Sequence, residues 1–225
     1  MNASLELVIG NRNYSSWSLR GGLAMKHSGL PFTEIFIPLD LPDTKAQIAA
    51  NSSSGLVPVL KLDGFEVWDS LAIIETLNDL TPEAGPNAGP NTGLWPDDLK
   101  VRARARSVSA EMHSGFYPLR RDMPMDMRSS YAGVGHTEKA LQNVARISAL
   151  WTDCRDTYGA GGDYLFGAWS AADMMYAPVV SRFRTFGVAV DATVQRYMDA
   201  VWAHPDMREW VQGAVDEPYT IDVLG

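Results

Sequence analysis

Thr81-Pro82-Glu83-Ala84-Gly85-Pro86-Asn87-Ala88-Gly89-Pro90-Asn91-Thr92-Gly93-Leu94-Trp95-Pro96 divides the chain. Proline, glycine and asparagine crowd this stretch, and such a composition continues neither a helix nor a central strand. It reads as a linker between two differently built halves. Upstream, strand and helix signals alternate. Residues 5–9 (Leu-Glu-Leu-Val-Ile) read as a strand, 11–17 as a polar loop, and 18–27 as a helix stopped by Gly29, which tolerates the left-handed backbone of a helix end. Residues 33–37 read as a second strand and 44–50 as a short helix. Residues 59–62 and 66–68 flank Asp63-Gly64, a two-residue hairpin signal. Ser70 then opens a helix with Leu71, Ile74 and Leu77 at helical spacing. The order β-α-β-α-β-β-α predicts one small mixed sheet with helices packed on it. Downstream every segment reads as helix: 97–116, 137–158 with Val144, Ile147, Trp151, Cys154 and Tyr158 on one stripe, 171–186, 192–203 and 205–213. The expected organisation is an α/β domain over 1–82, a linker over 83–96 and an all-α helical bundle over 97–225.

The 225 residues hold 46% hydrophobic and 20% charged residues, close to an ordinary globular chain, which excludes a disordered, collagen-like or coiled-coil protein. Lys plus Arg is 19 and Asp plus Glu is 27, a net charge of −8. Such a chain lacks the basic field that holds phosphate backbones, so neither nucleic acid nor an anionic membrane is expected as a partner. The single cysteine, Cys154, forms no internal disulfide and no multi-thiolate metal site, and His27, His113, His136 and His204 lack ligand spacing, so no metal is expected. No stretch approaches the ~20 apolar residues of a membrane span. Residues 1–10 lack a basic leader segment, and the expected location is cytoplasmic.

Three motifs in the first half carry chemistry. Asn13-Tyr14-Ser15-Ser16-Trp17-Ser18 sets hydroxyls at a helix N-terminus, where free N–H groups and the dipole favour an anion. A serine there either caps the helix or donates to a thiolate and lowers its pKa. Val57-Pro58, at the entrance to a strand, would in the cis form expose the Val57 N–H and C=O for pairing with an extended peptide. Trp68-Asp69-Ser70 ends a strand, with Ser70 expected as the next helix cap. The pair offers a hydroxyl to a carboxylate and an acid to an ammonium.

Together, in order and spacing, these motifs resemble the glutathione-binding half of the glutathione transferases, and the resemblance extends over essentially the whole chain. Ser15-Ser16-Trp17-Ser18 is similar to the serine motif of zeta-like and related bacterial members, Leu56-Val57-Pro58 to the cis-proline loop, and Asp69-Ser70 to the acidic-Ser pair that holds the γ-glutamyl end of glutathione. Gly167-Ala168-Trp169-Ser170-Ala171-Ala172-Asp173 resembles the family's capping box and hydrophobic staple, with Trp169 expected on Met174. The resemblance implies a thioredoxin-like domain followed by a helical domain, a dimer of identical chains, and conjugation chemistry of the kind used in detoxification. It implies glutathione extended along Val57 and Pro58, its carboxylate at Ser70, its ammonium at Asp69 and its sulfur at Ser15, with Ser16 as the alternative and Trp17 alongside.

The chain also departs from the family pattern. Asn51-Ser52-Ser53-Ser54-Gly55 replaces the usual Asn-Pro, and Leu56 stands where a basic residue often precedes Val-Pro, leaving Lys45 or Arg20 as candidates for the glycyl carboxylate. Trp17 takes the place of the cysteine in the Ser-Ser-Cys of zeta-type isomerases. The second substrate is implied to lie against the first helix of the helical domain, near Trp17, Met112, Phe116 and Arg120, with Arg120 or Arg121 available to an anion. Met112 and Phe116 read equally well as core. His113 reads as a structural or interface residue and Cys154 as a buried, inert thiol. The expected function is thiol activation for attack on a small, largely apolar electrophile. The alternatives are glutathione-dependent isomerisation of a dicarboxylate, as in maleylacetoacetate isomerases, and a non-catalytic glutathione-binding scaffold.

Overall fold

A computed structural model describes residues 4–81 and 93–224. The first half contains β1 (Leu5–Ile9), α1 (Ser16–Ser28), β2 (Thr33–Phe36), α2 (Thr44–Asn51), β3 (Val59–Leu62), β4 (Phe65–Val67) and α3 (Ser70–Leu80). The strands form one sheet in the order β2-β1-β3-β4, with β1 parallel to β2 and antiparallel to β3, and β3 antiparallel to β4. Strand alternation sorts β1 between two cores. Leu5, Leu7 and Ile9 face the main core with α1 and α3, while Val8 joins Ile37, Val59 and Ile48 on the opposite face. Asp63 and Gly64 both take positive φ, the conformation that suits a two-residue hairpin, and Gly29 ends α1 at φ 67°.

The second half is helical: α4 (Leu99–Ser114), α5 (Tyr117–Asp122), α6 (Glu138–Tyr158), α7 (Ala171–Thr185), α8 (Ala192–Ala203) and α9 (Pro205–Asp216). In this half three boundaries differ from the sequence reading by two residues or more. The helix expected over 97–116 starts at Leu99, because the Asp98 carboxylate caps the Lys100 and Val101 N–H groups, and it stops at Gly115. Phe116 turns into the left-handed region, and α5, which periodicity missed, starts with Pro118 in its first turn. The final helix runs to Asp216 rather than 213. Helix α7 is buried along nearly its whole length, packed by α1 on one side and α4 on the other. Trp151 of α6 meets the rings of Tyr176, Phe183 and Tyr197 at 5.6, 5.5 and 4.8 Å. One continuous core thus runs from β1 through α1 to α7 and α9. Residues 83–92 of the expected linker lie outside the described residues. Of its remainder, Leu94 and Trp95 are buried, and the Leu94 carbonyl accepts the Ala171 N–H at 2.7 Å.

The capping box at α7 forms as expected. Asp173 accepts the Ser170 N–H at 2.9 Å and its hydroxyl at 3.0 Å, and also takes the Leu165 N–H at 3.0 Å. The Trp169 ring stacks on His204 at 4.0 Å, so this aromatic side chain engages the α8–α9 junction. Burial pushes the Asp173 carboxyl up to about 6 against the pull of its hydrogen bonds. The folded state therefore binds this proton more tightly than the unfolded chain, and the group's stabilising contribution is lost as pH rises through about 6. The stability of the native chain relative to Asp173→Asn is expected to improve by about 2 kcal/mol between pH 7 and pH 4. Urea denaturation of both proteins across that range measures it, and a constant difference would mean that Asp173 does not titrate as a buried acid.

Candidate functional site

The topology brings the three motifs to one edge of the sheet. Strand β1 ends at Ile9, and the antiparallel β3 begins beside it, with Val59 opposite Val8. Strand β4 returns antiparallel to β3 and ends with Val67 opposite Leu60. The loop to Ser15, the Val57–Pro58 turn and Asp69-Ser70 therefore emerge at the same rim. Helices α1 and α3, which pack together, both begin there. Their N-termini give this rim a positive potential. Val57–Pro58 is cis, as is Trp68–Asp69. Pro58 packs on α1 at Gly21, where a Cβ would stand 3.2 Å from the Pro58 Cγ.

Ser15 is the N-cap of α1. Its oxygen accepts the Ser18 N–H at 3.2 Å and its hydroxyl bonds the Ser18 Oγ at 2.8 Å, which in turn accepts the Gly10 N–H at 3.0 Å. Ser16 lies one residue into α1, with no partner for its hydroxyl among the described residues. The Val57 N–H and C=O are likewise unbonded among the described residues.

Asp69-Ser70 corrects the expected capping. Asp69, not Ser70, caps α3: its Oδ1 accepts the Leu71 N–H at 3.0 Å and the Ala72 N–H at 3.5 Å. A carboxylate bridges two free amides better than a hydroxyl bridges one, and the substitution releases Ser70. The Ser70 hydroxyl is fully buried and has no hydrogen-bond partner among the described residues. Buried polar groups are nearly always paired; of the three buried serine hydroxyls left unpaired among the described residues, Ser70, Ser109 and Ser181, Ser70 is the one at a helix start on the rim.

The helical half closes over the rim. His113 of α4 reaches across to Asp69, with its Nε2 2.8 Å from Oδ2, and its ring meets Trp17 edge-on at 5.2 Å. Arg120 of α5 lies with its Cζ 5.6 Å from the Trp17 ring, and Arg20 of α1 sits 4.6 Å from the same ring. Trp17 and Arg120 are half-buried at this junction. Met112 and Phe116 are buried in the main core, the placement their apolar periodicity equally allowed. Arg121 points away, paired with Asp122. Arg20 faces α7 through the Met175 carbonyl, so of the two candidates for a glycyl carboxylate only Lys45 is exposed, at the start of α2. Cys154 is buried and its thiol is pushed up to about 12 by desolvation, which leaves it inert.

A second tie went unseen in the sequence. Asn13 donates to Asp126 at 2.8 Å, and its oxygen accepts the Met127 and Arg128 N–H groups at 2.8 and 3.1 Å. Arg128 reaches the Tyr14 hydroxyl at 3.0 Å, and Glu217 accepts the Arg12 N–H at 2.7 Å. The loop that presents Ser15 is thus pinned by residues more than a hundred positions away.

The glutathione S-transferase N-terminal domain family matches residues 14–80. A probable glutathione S-transferase BZ2 of Zea mays is 31% identical over 205 residues, 85% of this chain and 84% of that protein. The maleylacetoacetate isomerase of Rattus norvegicus is 28% identical over 194 residues, 79% and 77% of the two chains. Among solved structures, a glutathione transferase homolog from Burkholderia with bound glutathione superposes with a TM-score of 0.71 at 24% identity, covering 95% of this chain and all of that one.

Proposed function

The chain belongs to the glutathione S-transferase family, and from that membership we propose that it binds glutathione at the rim formed by Ser15, Val57–Pro58 and Asp69-Ser70 and transfers the activated thiol to a small electrophile. The observation that carries this reading is the buried, unpartnered Ser70 hydroxyl at the start of α3, with the unbonded Val57 N–H and C=O nearby in the fold. A γ-glutamyl carboxylate completes the Ser70 hydroxyl and takes the Ser70 N–H, the amide of the first turn of α3 that Asp69 leaves uncapped. The glutathione backbone pairs with Val57, and Asp69 meets the α-ammonium, sharing its Oδ2 with His113. The proposed division of labour follows the expected boundaries, 1–82 for glutathione and 97–225 for the acceptor.

The chemistry then falls to Ser15. In the free protein the Ser15 hydroxyl donates to the Ser18 Oγ at 2.8 Å, and the Ser18 Oγ also accepts the Gly10 N–H. When glutathione binds, the Ser15 hydroxyl hydrogen turns from Ser18 to the sulfur and stabilises it as thiolate, the thiol proton passing to solvent. The thiolate attacks the electrophilic carbon, a C–S bond forms and the leaving group departs with its electron pair. Ser16, with a free hydroxyl in the first turn, is the alternative donor. Isomerisation of a maleyl-type dicarboxylate is the second reading, favoured by the rat relative and by Arg120 beside Trp17. It requires Arg120 and gains nothing from Arg121.

Leu56, Phe65 and Trp68 are 68%, 72% and 51% exposed around the β4 edge. This apolar patch supports a homodimer, which sedimentation tests directly. No helix among the described residues is long and apolar enough to cross a membrane, and the sole cysteine is an unpaired, buried thiol, features in keeping with a cytoplasmic enzyme.

Calorimetric titration with glutathione tests the site. Saturable binding is expected, weakened about tenfold or more by Ser70→Ala, the cost of a lost hydrogen bond to a charge. The same substitution is expected to leave the melting temperature of the free protein almost unchanged, because the hydroxyl it removes has no partner to lose. Absence of binding at millimolar glutathione would overturn the reading and leave a scaffold role.

A further inference from the structure

The loop that delivers Ser15 is held by a carboxylate from the far end of the chain. Glu217 follows α9, and its side chain is 6% exposed. Its Oε1 accepts the Arg12 N–H at 2.7 Å and lies 3.7 Å from the Arg12 Nη1. Its Oε2 accepts the Asn11 Nδ2 at 3.3 Å and the Asn13 N–H at 3.5 Å. These donors come from three consecutive residues, and the same turn holds Ser15: the Asn11 carbonyl accepts the Ser15 N–H at 2.8 Å and the Tyr14 N–H at 3.2 Å. The backbone around Glu217 is fixed in turn. Arg128 donates to the Glu217 carbonyl at 2.6 Å and to the Tyr219 carbonyl at 2.5 Å, and the Tyr14 hydroxyl accepts the Ile221 N–H at 3.1 Å.

Joining the two halves does not require this. One core already runs from β1 through α1 to α7 and α9. A carboxylate taken out of water is costly, and an apolar side chain would fasten the halves at lower cost. What a carboxylate does and an apolar group does not is order N–H groups around itself. Here those groups belong to residues 11–13, which lie between β1 and α1 and share the ladder of neither. Asn11 and Asn13 are fully buried, so their polar groups cannot turn to water instead. Without Glu217 the Arg12 and Asn13 N–H groups lose their acceptor, and the turn repacks to find another. Ser15 is bonded to that turn through its N–H and moves with it. A reacting group displaced by about 1 Å can lose roughly a hundredfold in rate.

We propose that Glu217 is a positioning residue for the thiol, a carboxylate of the helical half that sets the place of Ser15 and so governs how far bound glutathione is ionised. This deepens the glutathione reading and rests on it for the role of Ser15 as donor to the sulfur. Glu217 acts through residues 11–13 and the Ser15 N–H, without touching the reacting atoms. Its loss therefore falls on ionisation of the thiol. Affinity for glutathione changes less, because Val57, Asp69 and Ser70 stand on other elements of the fold. Thiol activation is then a joint property of the two halves, and the chain after α9 takes part in it.

The test follows the ultraviolet absorbance of the thiolate of glutathione bound to the intact protein as pH is varied, which reads ionisation without turnover. In Glu217→Ala the midpoint is expected to rise by about one pH unit, the loss of most of one hydrogen bond to a charge. Calorimetric affinity for glutathione is expected to change by less than about threefold, the signature of a defect in activation rather than in binding. Glu217→Gln keeps an acceptor for the Arg12 N–H and is expected to shift the midpoint less. Asp173→Asn, which damages the cap of α7, controls for lost stability: it is expected to lower the melting temperature and leave the midpoint in place. If Glu217→Ala does not fold, Tyr14→Phe takes its place. It removes only the hydroxyl that meets Ile221 and Arg128, and is expected to raise the midpoint by a smaller amount. An unchanged midpoint in folded Glu217→Ala, or in both Glu217→Gln and Tyr14→Phe, overturns the proposal. So does a loss of glutathione affinity with no shift of the midpoint, which assigns Glu217 to packing alone. A native protein whose bound thiol ionises no more readily than free glutathione removes the activation reading itself, an outcome distinct from a native shift that the variants leave untouched.

Discussion

Ser15→Ala is expected to lower kcat/KM for conjugation between about tenfold and a hundredfold near neutral pH and to regain most of it in alkaline buffer. The size follows from the bond: a hydrogen bond donated to a charge contributes ~1.5–3 kcal/mol, or roughly one to two pKa units of the thiol. A free thiol ionises near pH ~8.5, so without the hydroxyl the nucleophile is scarce at neutrality and restored above that pH. The sign is specific. A thiolate stabilised by Ser15 has a depressed pKa, activity is lost as pH falls through it, and the variant moves that acid limb upward. Ser15 also caps α1 through the Ser18 N–H, so alanine costs about 0.5–2 kcal/mol of stability as well. The pH–rate profile separates the two roles, because a lost cap lowers the melting temperature without moving the limb. Ser15→Thr keeps both oxygen and hydrogen and is expected to restore the profile. If Ser16→Ala shifts the limb and Ser15→Ala does not, the free hydroxyl in the first turn of α1 is the donor instead.

The features legible in the sequence were those whose cause is local. Gly29 ends α1 and Asp63-Gly64 turns the hairpin because positive φ is a property of one or two residues. Ser170 and Asp173 form their capping box across three positions. The rim that gathers Ser15, Pro58 and Asp69 is set by strand order, which the element pattern alone does not give and only the family resemblance implied. What escaped was set by partners far along the chain. Asp69 displaced Ser70 as cap of α3 because two acceptors compete at that end, and the outcome left the more informative group unpartnered. His113 read as an interface residue, but nothing in its neighbourhood named Asp69, 44 positions away, as its partner. A cluster of arginines is the extreme case. Arg20, Arg120 and Arg182 are each unremarkable on their own helices, and only the tertiary arrangement that brings α1, α5 and α7 to one junction turns three ordinary cations into one concentrated charge.

Gly22→Ala is expected to destabilise the protein by about 3 kcal/mol or more, against the direction of helix propensity. In an open helix the same change would be favourable by roughly 1 kcal/mol, since glycine is the poorer helix former. Here the added Cβ would stand 2.1 Å from the Trp210 Cζ3, 2.9 Å from Cε3 and 3.0 Å from Cη2. The obstacle is a rigid indole, 5% exposed, whose Nε1 donates to the Arg12 carbonyl at 3.0 Å. It cannot swing aside as a flexible chain end would, so α1 and α9 must part. Overpacking of a well-filled core costs typically ~1–3 kcal/mol, and this contact lies at or beyond the upper end. For a chain of this size that is a drop of roughly 6–12 °C in melting temperature. Trp210→Leu is expected to be destabilising alone yet to recover part of the loss in the double variant, a coupling that identifies the clash as the cause. A neutral Gly22→Ala would show that α1 does not approach α9 as closely as the structure has it. The same contact bears on the site, because α1 carries Ser15 at its start and Arg20 within two residues of Gly22. Lifting the helix from α9 is expected to raise KM for glutathione at temperatures where the variant is still folded. The rim depends on the position of α1, and that position is set by a glycine at a site where helix propensity alone would choose alanine.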